Sequence, residues 1–445
     1  MSMMQSARTR LSSAEIGPVT GVGGDYDQLM SWIGDRHFVL LGEASHGSHE
    51  FYRERARITE RLIKEKGFVA VAVEADWPDA YRVNRYVLGE SADPDATSAL
   101  AGFERFPSWM WRNTDVVDFV TWIRSFNDAR TARQGRVRFY GLDLYSLRAS
   151  MQAVVEYLDD LDPAAADEAR ARYSCFDHVR GEGPEYGRAV TLDLMVPCES
   201  EVVAQLVDLR RRAADLIARD GWVAEDELFY AEQNARLVHD AERYYRTMYE
   251  GRVSSWNLRD RHMAATLADL AAHLDRRGGR TKVVVWEHNS HVGDARATGL
   301  GDAGELNVGQ LVRTVWGDES FLVGFTTHHG RVTAASDWGG PAERKHVRPG
   351  LPGSYEELFH LAEHDRFLVA LGRRSPGLLE HPRLERAIGV IYRPETERQS
   401  HWFPARIAAQ FDAVVHIDRT SAVEPLERSG LWDRGEPPET YPTGL

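Results

Sequence analysis

Eight short runs of continuous apolar residues restrict what this chain of 445 residues can fold into. Runs of Val, Ile and Leu without strict alternation are typical of strands that are covered on both faces, as in a parallel sheet. The runs are His37–Glu43, Val69–Ala75, Val137–Asp143, Lys282–His288, Phe321–Thr327, Arg366–Leu371, Ile388–Arg393 and Ala413–Asp418. Between the first two, a segment beginning at His49 has one apolar face and ends at Gly67, which predicts a βαβ unit.

The spacing of these runs predicts an α/β fold with a mostly parallel β-sheet flanked by helices, in a three-layer α/β/α arrangement. Residues 1–145 and 280–425 then form the α/β core. The interval 146–279 contains no comparable strand run and is rich in Ala, Leu, Glu and Arg, which predicts a large helical insertion. Residues 426–445 are polar and Pro-rich, and we expect a C-terminal tail that is poorly ordered at its end.

Charge and cysteine content limit the partners that we expect. The chain carries 54 Lys and Arg against 68 Asp and Glu, a net charge of −14, which argues against nucleic acid as a partner. No apolar run is long enough to cross a bilayer and the first residues show no signal-peptide pattern, so we expect no membrane partner. Cys175 and Cys198 could pair, but two thiols in so long a chain suit a reducing compartment better than a disulfide scaffold, which favours a cytoplasmic protein. The oligomeric state stays open.

Ionisable residues follow five of the predicted strands at their carboxyl ends. They are Glu43 and His46, Glu74 and Asp76, Asp143, then Glu287, His288 and His291, and finally His328 and His329. The carboxyl ends of parallel strands meet at one edge of the sheet, where ligands bind, so we expect these side chains to converge on a single cleft. If the last strand continues, His328 and His329 point in opposite directions and at most one faces the cleft.

Several further residues are candidates for contacts with a substrate. Within the predicted insertion, Asp260 shares a helical stripe with Trp256 and several apolar residues, so it faces inward and needs a partner. A salt bridge to an arginine is the favoured explanation, and a substrate contact is the alternative. Trp77, Trp109 and Trp111 lie close to strand ends and could form a wall for an apolar ligand, although core packing explains such residues equally well.

Several segments resemble the erythromycin esterase family, among them "LLGEASHGSHEFYRERARITERLI", "YYRTMYEGRVSSWNLRDRHM" and "WEHNSHVGD". The resemblance extends from about His37 to Asp418 and implies an α/β protein with a helical insertion that hydrolyses the lactone ester of macrolides without a metal. It also implies that His46 is the general base that activates water. The other positions that match the family's functional residues are Glu43, Arg55, Glu74, His288 and His291.

The residues themselves favour direct attack of water on an ester, because no G-x-S-x-G nucleophile motif is present. A neutral imidazole at His46 suits the general base, with Glu43 or Glu74 orienting its ring. Arg55 and His288 are both candidates to stabilise the oxyanion, and the sequence does not decide between them. We expect a small-molecule ester or macrolide-like substrate and no cofactor.

Three other functions remain open at this point. The Glu and His residues could hold Zn²⁺ or Mn²⁺ in a metal-dependent hydrolase. An alcohol or amine could replace water in an acyl or macrolactone transferase. A binding protein could keep the cleft without turnover.

Overall fold

The computed structural model describes residues 11, 16–131, 135–178, 183–249, 251–276, 279–372, 375 and 377–434. The strands are β1 Ile16–Pro18, β2 Phe38–Leu41, β3 Ala70–Asp76, β4 Arg138–Asp143, β5 Val283–Trp286, β6 Ser320–Thr326, β7 His329–Ala334, β8 Glu343–Val347, β9 Arg366–Ala370, β10 Arg383–Arg386, β11 Trp402–Ala405, β12 Ala413–Ile417 and β13 Arg419–Thr420. The helices in the first part of the chain are α1 Asp27–Ile33, α2 His49–Lys66, α3 Trp77–Leu88, α4 Ala96–Ala99, α5 Thr114–Asp128, α6 Leu147–Leu161, α7 Pro163–Tyr173, α8 Gly183–Thr191, α9 Glu199–Thr247 and α10 Arg252–Asp275. Those that follow are α11 Asn289–Val292, α12 Gly299–Asp302, α13 Val308–Trp316, α14 Tyr355–His360, α15 Gly377–Glu380, α16 Glu397–Ser400, α17 Ile407–Gln410 and α18 Gly430–Arg434.

An eight-stranded mixed sheet organises the molecule, with the strand order β1-β9-β12-β6-β2-β5-β3-β4. The pairs from β12 through β4 are parallel, whereas β9 runs antiparallel to both β12 and β1. Every residue of the central strands β2, β3, β5 and β6 is buried, which explains why their sequences are continuously apolar. The prediction of an α/β fold with a mostly parallel sheet is confirmed.

The predicted strand at Ile388–Arg393 is wrong. In that run only isolated bridges form, from Ile388 to Ser45 and from Ile391 to Ala335. Gly389 interrupts the run, and glycine weakens a strand because it offers no side chain to pack. Ile388 and Tyr392 instead join a small apolar cluster on β7 and β8.

Helices occupy the interval between β4 and β5, where the described residues contain no strand. One hydrophobic cluster joins this interval to the sheet, since it contains Leu40 from β2, Leu158 from α6 and Leu267 from α10. No helix among the described residues has the length and apolarity needed to cross a membrane.

Cys175 and Cys198 form a disulfide, so the pairing that the sequence left open is present and the favoured alternative of two free thiols is wrong. Cys175 follows α7 and Cys198 precedes α9, and the fold places their Cα atoms 6.0 Å apart. Their sequence spacing could not show that the chain folds back at this point. The cytoplasmic location stays a prediction.

The predicted tail is folded at its start. Trp432 in α18 is buried, and its Nε1–H donates to Oγ1 of Thr333 at 2.8 Å. This contact ties the segment from Leu426 to Arg434 to the core. The predicted disorder at the end of the tail concerns residues 435–445, which lie outside the described residues.

Candidate active site

A cavity of about 1000 Å³ opens at the carboxyl ends of β2, β3, β4 and β5. The sheet topology brings strand ends from distant parts of the sequence to this edge, and α10 closes one side. Its ionisable lining includes His46, Glu74, Asp76, Arg105, Asp143, Arg259, His288 and His291. The cleft that we expected at the sheet edge is therefore present, and it receives residues from four of the five strand ends.

His46 is oriented by Glu43 from below the cavity surface. The ring Nδ1 lies 2.9 Å from Oε1 of Glu43, and Oε2 of the same carboxylate lies 2.6 Å from Nη2 of Arg55. An ionised carboxylate can only accept hydrogen bonds, so Nδ1 of His46 carries a hydrogen, and in the neutral form of the ring Nε2 keeps its lone pair. The side chain of His46 lines the cavity, whereas Glu43 and Arg55 do not.

Arg55 lies too deep for the oxyanion role that we considered for it. Its side chain is 1% exposed, and its guanidinium packs over the rings of Tyr52 and Trp286 at 4.7 and 4.9 Å. The positive charge therefore faces Glu43 and the core. Arg55 neutralises a buried carboxylate, which would be costly to bury alone.

Arg259 is the centre of the charge network and was not among the residues predicted from the sequence. Its guanidinium binds Asp143 through Nε and Nη2 at 2.9 and 2.7 Å, and Nη2 also lies 2.7 Å from Oε1 of Glu74. Glu74 uses its other oxygen to accept the backbone N–H of His288 at 2.9 Å. Burial alone would raise the pKa of Glu74, but His291, His46 and Arg259 hold it well below its usual range. Glu74 is therefore ionised at neutral pH.

His291 is held between acidic side chains and an aromatic ring. Its Nδ1 lies 2.8 Å from Oδ1 of Asp260, and its ring stacks on Trp256 with 4.5 Å between centroids. Its Nε2 lies 3.0 Å from Nη1 of Arg259 and 3.4 Å from Oε1 of Glu74. Although burial opposes protonation, Asp260 and Glu74 raise the pKa of His291 to about 10. The protonated ring donates to both carboxylates, whereas the neutral ring would accept from Arg259.

This arrangement corrects the expected role of Asp260. The side chain is fully buried, does not line the cavity, and pairs with His291 and not with an arginine. It also accepts the backbone N–H of Val308 at 3.0 Å. Asp260 therefore acts on a potential substrate only through the orientation of His291.

Nε2 of His288 is buried and makes no hydrogen bond of good geometry with the described residues, although the backbone of Ala44 lies close enough to the ring to favour its protonated form. The backbone N–H of Ser290 donates to its Nδ1 at 3.2 Å, so the neutral ring carries its hydrogen on Nε2. Burial, followed by the nearby His46, lowers the pKa of His288 well below its usual range. The two histidine rings lie 4.8 Å apart between centroids. His288 is thus a neutral N–H donor beside the free nitrogen of His46.

Two other acids at the strand ends have different environments. Asp76 lines the cavity and binds Arg105 through both oxygens, at 2.8 and 3.1 Å. Glu287 is fully buried outside the lining, and neither of its carboxylate oxygens has a hydrogen-bond partner among the described residues. Burial raises the pKa of Glu287 well above its usual range, so this side chain is protonated and uncharged.

Of the three tryptophans predicted to contact a substrate, only Trp111 lines the cavity. Its Nε1–H donates to the backbone oxygen of Glu74 at 3.2 Å. The prediction that Trp77 contacts the substrate is wrong, because its ring packs in the core against Tyr140 and Phe229. Trp109 is buried as well and is absent from the lining. The aromatic residues of the lining are Phe103, Trp111, Tyr145, Trp256, Trp338, Trp402 and Phe403.

The fifth strand end does not join the cavity. β6 ends at Thr326 and β7 begins at His329, so His328 and His329 lie at a reversal of the chain and not on one continuous strand. Their Nδ1 atoms lie 3.1 Å apart, and the expectation of opposite directions does not apply because it assumed that the strand continues. The expectation that all five strand ends converge on one cleft is wrong, since these histidines form a separate cluster with Asp418.

Comparison with known proteins is informative at both the sequence and the structure level. The family model described as "Erythromycin esterase" matches residues 63–420. A protein of Escherichia coli described as "Erythromycin esterase type II" is 23% identical over 418 residues, which cover 90% of this chain and 93% of that protein.

Solved structures share the fold. One described as a succinoglycan biosynthesis protein aligns with a TM-score of 0.74 at 20% identity, covering 95% of this chain and 99% of that one. A Bacillus cereus protein aligns with the same TM-score of 0.74, identity of 20% and coverage of 95% and 99%. A mutant of the erythromycin esterase EreC in its open conformation aligns with a TM-score of 0.67 at 17% identity, over 95% of this chain and 98% of that one.

Proposed function

The chain belongs to the erythromycin esterase family, and from this premise we propose that it cleaves an ester or macrolactone bond by direct attack of water, with His46 as the general base. The observation that carries this proposal is the Glu43–His46 pair, in which Nδ1 is held at 2.9 Å and Nε2 remains free to accept a proton. Family membership supports the hydrolase class. The roles of individual residues are our proposal.

In the proposed reaction, Nε2 of His46 takes a proton from a water molecule as that water attacks the ester carbonyl. Glu43 fixes the tautomer and stabilises the imidazolium that forms, as the acid does in other histidine-dependent hydrolases. Such general-base assistance typically contributes ~10²–10⁴-fold to the rate. The tetrahedral intermediate then collapses, the C–O bond to the leaving alkoxide breaks, and the proton on His46 passes to that oxygen.

We assign the oxyanion donor to His288. Its Nε2–H makes no hydrogen bond of good geometry with the described residues, the neutral ring is retained across neutral pH, and the ring lies next to that of His46. A buried donor without a partner costs about 1–3 kcal/mol, and a developing oxyanion would satisfy it. This assignment replaces Arg55, whose guanidinium is buried behind Glu43.

Arg259 and His291 hold Glu74 and Asp143 in fixed positions at the cavity surface. The bidentate contact of Arg259 with Asp143 is a planar geometry that a lysine could not reproduce. We propose that Glu74 and His291 position the substrate or the attacking water. Nε2 of His46 lies 4.0 Å from Oε1 of Glu74, a separation too long for a direct hydrogen bond.

A large apolar ester fits the aromatic lining. Rings from the sheet edge, from α10 and from β11 surround the charged centre, and the volume of about 1000 Å³ accommodates a macrolide-sized molecule. We propose that residues 146–279 form a helical insertion subdomain on the α/β core and that this subdomain determines which substrate binds. It contributes Trp256, Arg252 and Arg259 of α10 to the lining.

The geometry disfavours a metal-dependent hydrolase at this cavity. The guanidinium of Arg259 lies 2.7 Å from Glu74 and 3.0 Å from His291, so a positive charge already sits among the proposed ligands. A second cation would be repelled there. Nothing in the geometry favours a transferase or a binding protein without turnover over a hydrolase.

A panel of esters and macrolactones, read by mass spectrometry, tests the proposal. Wild type should convert at least one compound to a product heavier by one water, and His46→Ala should not. Added alcohols or amines should not appear in the product, since their incorporation would indicate a transferase. Unchanged turnover in His46→Ala would contradict the assignment of the base.

A further inference from the structure

The histidines at the end of β6 are held firmly near the end of β12. β6 and β12 are parallel neighbours, with Thr326 opposite His416. Beyond the strands, the backbone N–H groups of His328 and His329 both donate to the carbonyl of Asp418, at 3.1 and 3.0 Å. The backbone therefore fixes two histidines and one aspartate next to one another.

Their side chains point to a common position. The Nδ1 atoms of His328 and His329 are 3.1 Å apart, and Oδ2 of Asp418 lies 3.8 Å from Nδ1 of His329. All three potential ligand atoms lie within 4.8 Å of one another. Metal–ligand bonds of ~2.0–2.1 Å in a tetrahedral site place neighbouring ligand atoms about 3.3 Å apart. The observed separations bracket that value.

A surrounding layer of residues orients these ligands. Nδ1 of His360 lies 2.6 Å from Oδ1 of Asp418, which leaves Oδ2 on the side of His329. The ring of His360 also stacks on that of His328, with 3.8 Å between centroids. Partners that fix the direction of a ligand in this way are usual around metal sites.

Access and charge also suit a cation. The side chain of His329 is 33% exposed, so an ion has a route from solvent. The nearby guanidinium of Arg386 donates to the carbonyls of Thr327 and His328 and is paired with Glu397 at 2.9 Å. Glu397 therefore offsets part of this charge, although Arg386 still acts on His328 and Arg419 acts on His329.

We propose that His328, His329 and Asp418 form a binding site for one divalent transition-metal ion, separate from the catalytic cavity. Two imidazole nitrogens and one carboxylate oxygen suit Zn²⁺ and its neighbours, whereas Mg²⁺ and Ca²⁺ prefer oxygen ligands throughout. Through Arg386, which precedes the cavity residue Ala387, the ion would stabilise one wall of the cavity.

Zinc titration of untagged, chelator-treated full-length protein tests this site by calorimetry. Wild type should bind one Zn²⁺ per chain and gain thermal stability. His329→Gln and Asp418→Asn should each weaken binding by more than about 100-fold, and His360→Gln, outside the ligand set, by about 10–100-fold. His329→Gln alters a partly exposed side chain, and circular dichroism should show that it stays folded.

Two matched controls make the result decisive. His364→Ala removes an exposed histidine near the cluster and should leave the zinc affinity unchanged. His46→Ala removes a histidine of the catalytic cavity and should also leave it unchanged, so the outcome does not depend on the proposed hydrolysis. Absence of stoichiometric binding, equal affinity in His329→Gln and wild type, or loss of binding in His46→Ala would each overturn the proposal.

Discussion

Replacing Glu43 by glutamine tests the proposed mechanism at its most specific point. The carboxylate has one oxygen 2.6 Å from Arg55 and the other 2.9 Å from Nδ1 of His46. Glutamine has a single oxygen, and Arg55 can only donate, so the amide oxygen turns to Arg55 and the NH₂ group faces His46. His46 must then accept at Nδ1 and carry its hydrogen on Nε2, where it can no longer take a proton from water.

The expected loss is the contribution of the general base. For Glu43→Gln, kcat should fall ~10²–10⁴-fold, equal to about 3–5 kcal/mol in the barrier, with a small change in KM. The free energy of unfolding should fall by less than the ~3–5 kcal/mol that a fully unpaired buried charge costs, because the amide oxygen stays beside the guanidinium of Arg55. Steady-state kinetics on an ester that wild type hydrolyses, together with urea denaturation, measure the two effects.

Glu54→Gln is the matched control. Glu54 is also a buried glutamate, it lies in α2, and it accepts hydrogen bonds from Tyr26 at 2.8 Å and Arg57 at 3.0 Å, away from the cavity. It should lose stability and keep kcat. The reasoning fails if Glu43→Gln keeps kcat near the wild-type value, or if Glu54→Gln loses as much activity.

Three further predictions concern stability. The pKa of His291 is raised from 6.5 to about 10, so its stabilising contribution is complete below pH 6.5 and is lost as pH rises through about 10. The difference in free energy of unfolding between wild type and His291→Gln should therefore decrease over that range, as measured by urea titration. Burial, followed by the charge of a neighbouring glutamate, raises the pKa of Glu385 from 4.5 to about 8. The Tm of wild type should therefore fall as pH rises across that interval, and the Tm of Glu385→Gln should fall less. A Cβ on Gly47 would lie 1.8 Å from the backbone oxygen of Thr333, so Gly47→Ala should lower the free energy of unfolding by about 1–3 kcal/mol in urea denaturation and should also lower kcat. The control Gly23→Ala, whose Cβ would have no atom within 4 Å, should leave both quantities near the wild-type values.

Much of the fold follows from patterns that the sequence displays directly. Continuous apolar runs favour strands that are buried on both faces, although β9 shows that such a strand can also run antiparallel. The polar residues after the parallel strands mark the edge where the cavity lies. Ile388–Arg393 shows the limit of this reasoning, since a short apolar run can pack as an irregular segment when glycine interrupts it.

The sequence could not predict which of the marked side chains reach the cavity. Trp77 and Trp111 both lie near strand ends, yet one turns into the core and the other lines the cavity, and that choice depends on packing. Arg259 escaped notice because Asp143, which it binds, lies 116 residues away in the chain. The neighbouring Asp260, a charged residue on an inward-facing helical stripe, was the sequence feature that pointed to this part of α10.

The ion pairs of α10 restrict how substrate specificity can be altered. Arg259 and Asp260 belong to the same interval that we propose to read the substrate, yet they hold side chains at the ends of β3, β4 and after β5. In a chimera, residues 146–249 could be exchanged between relatives while α10 stays with its own sheet. If the exchange extended through residue 279, the residue at position 259 would come from the relative and would have to bind carboxylates of this chain. Substrate binding and catalysis would then have to be optimised together.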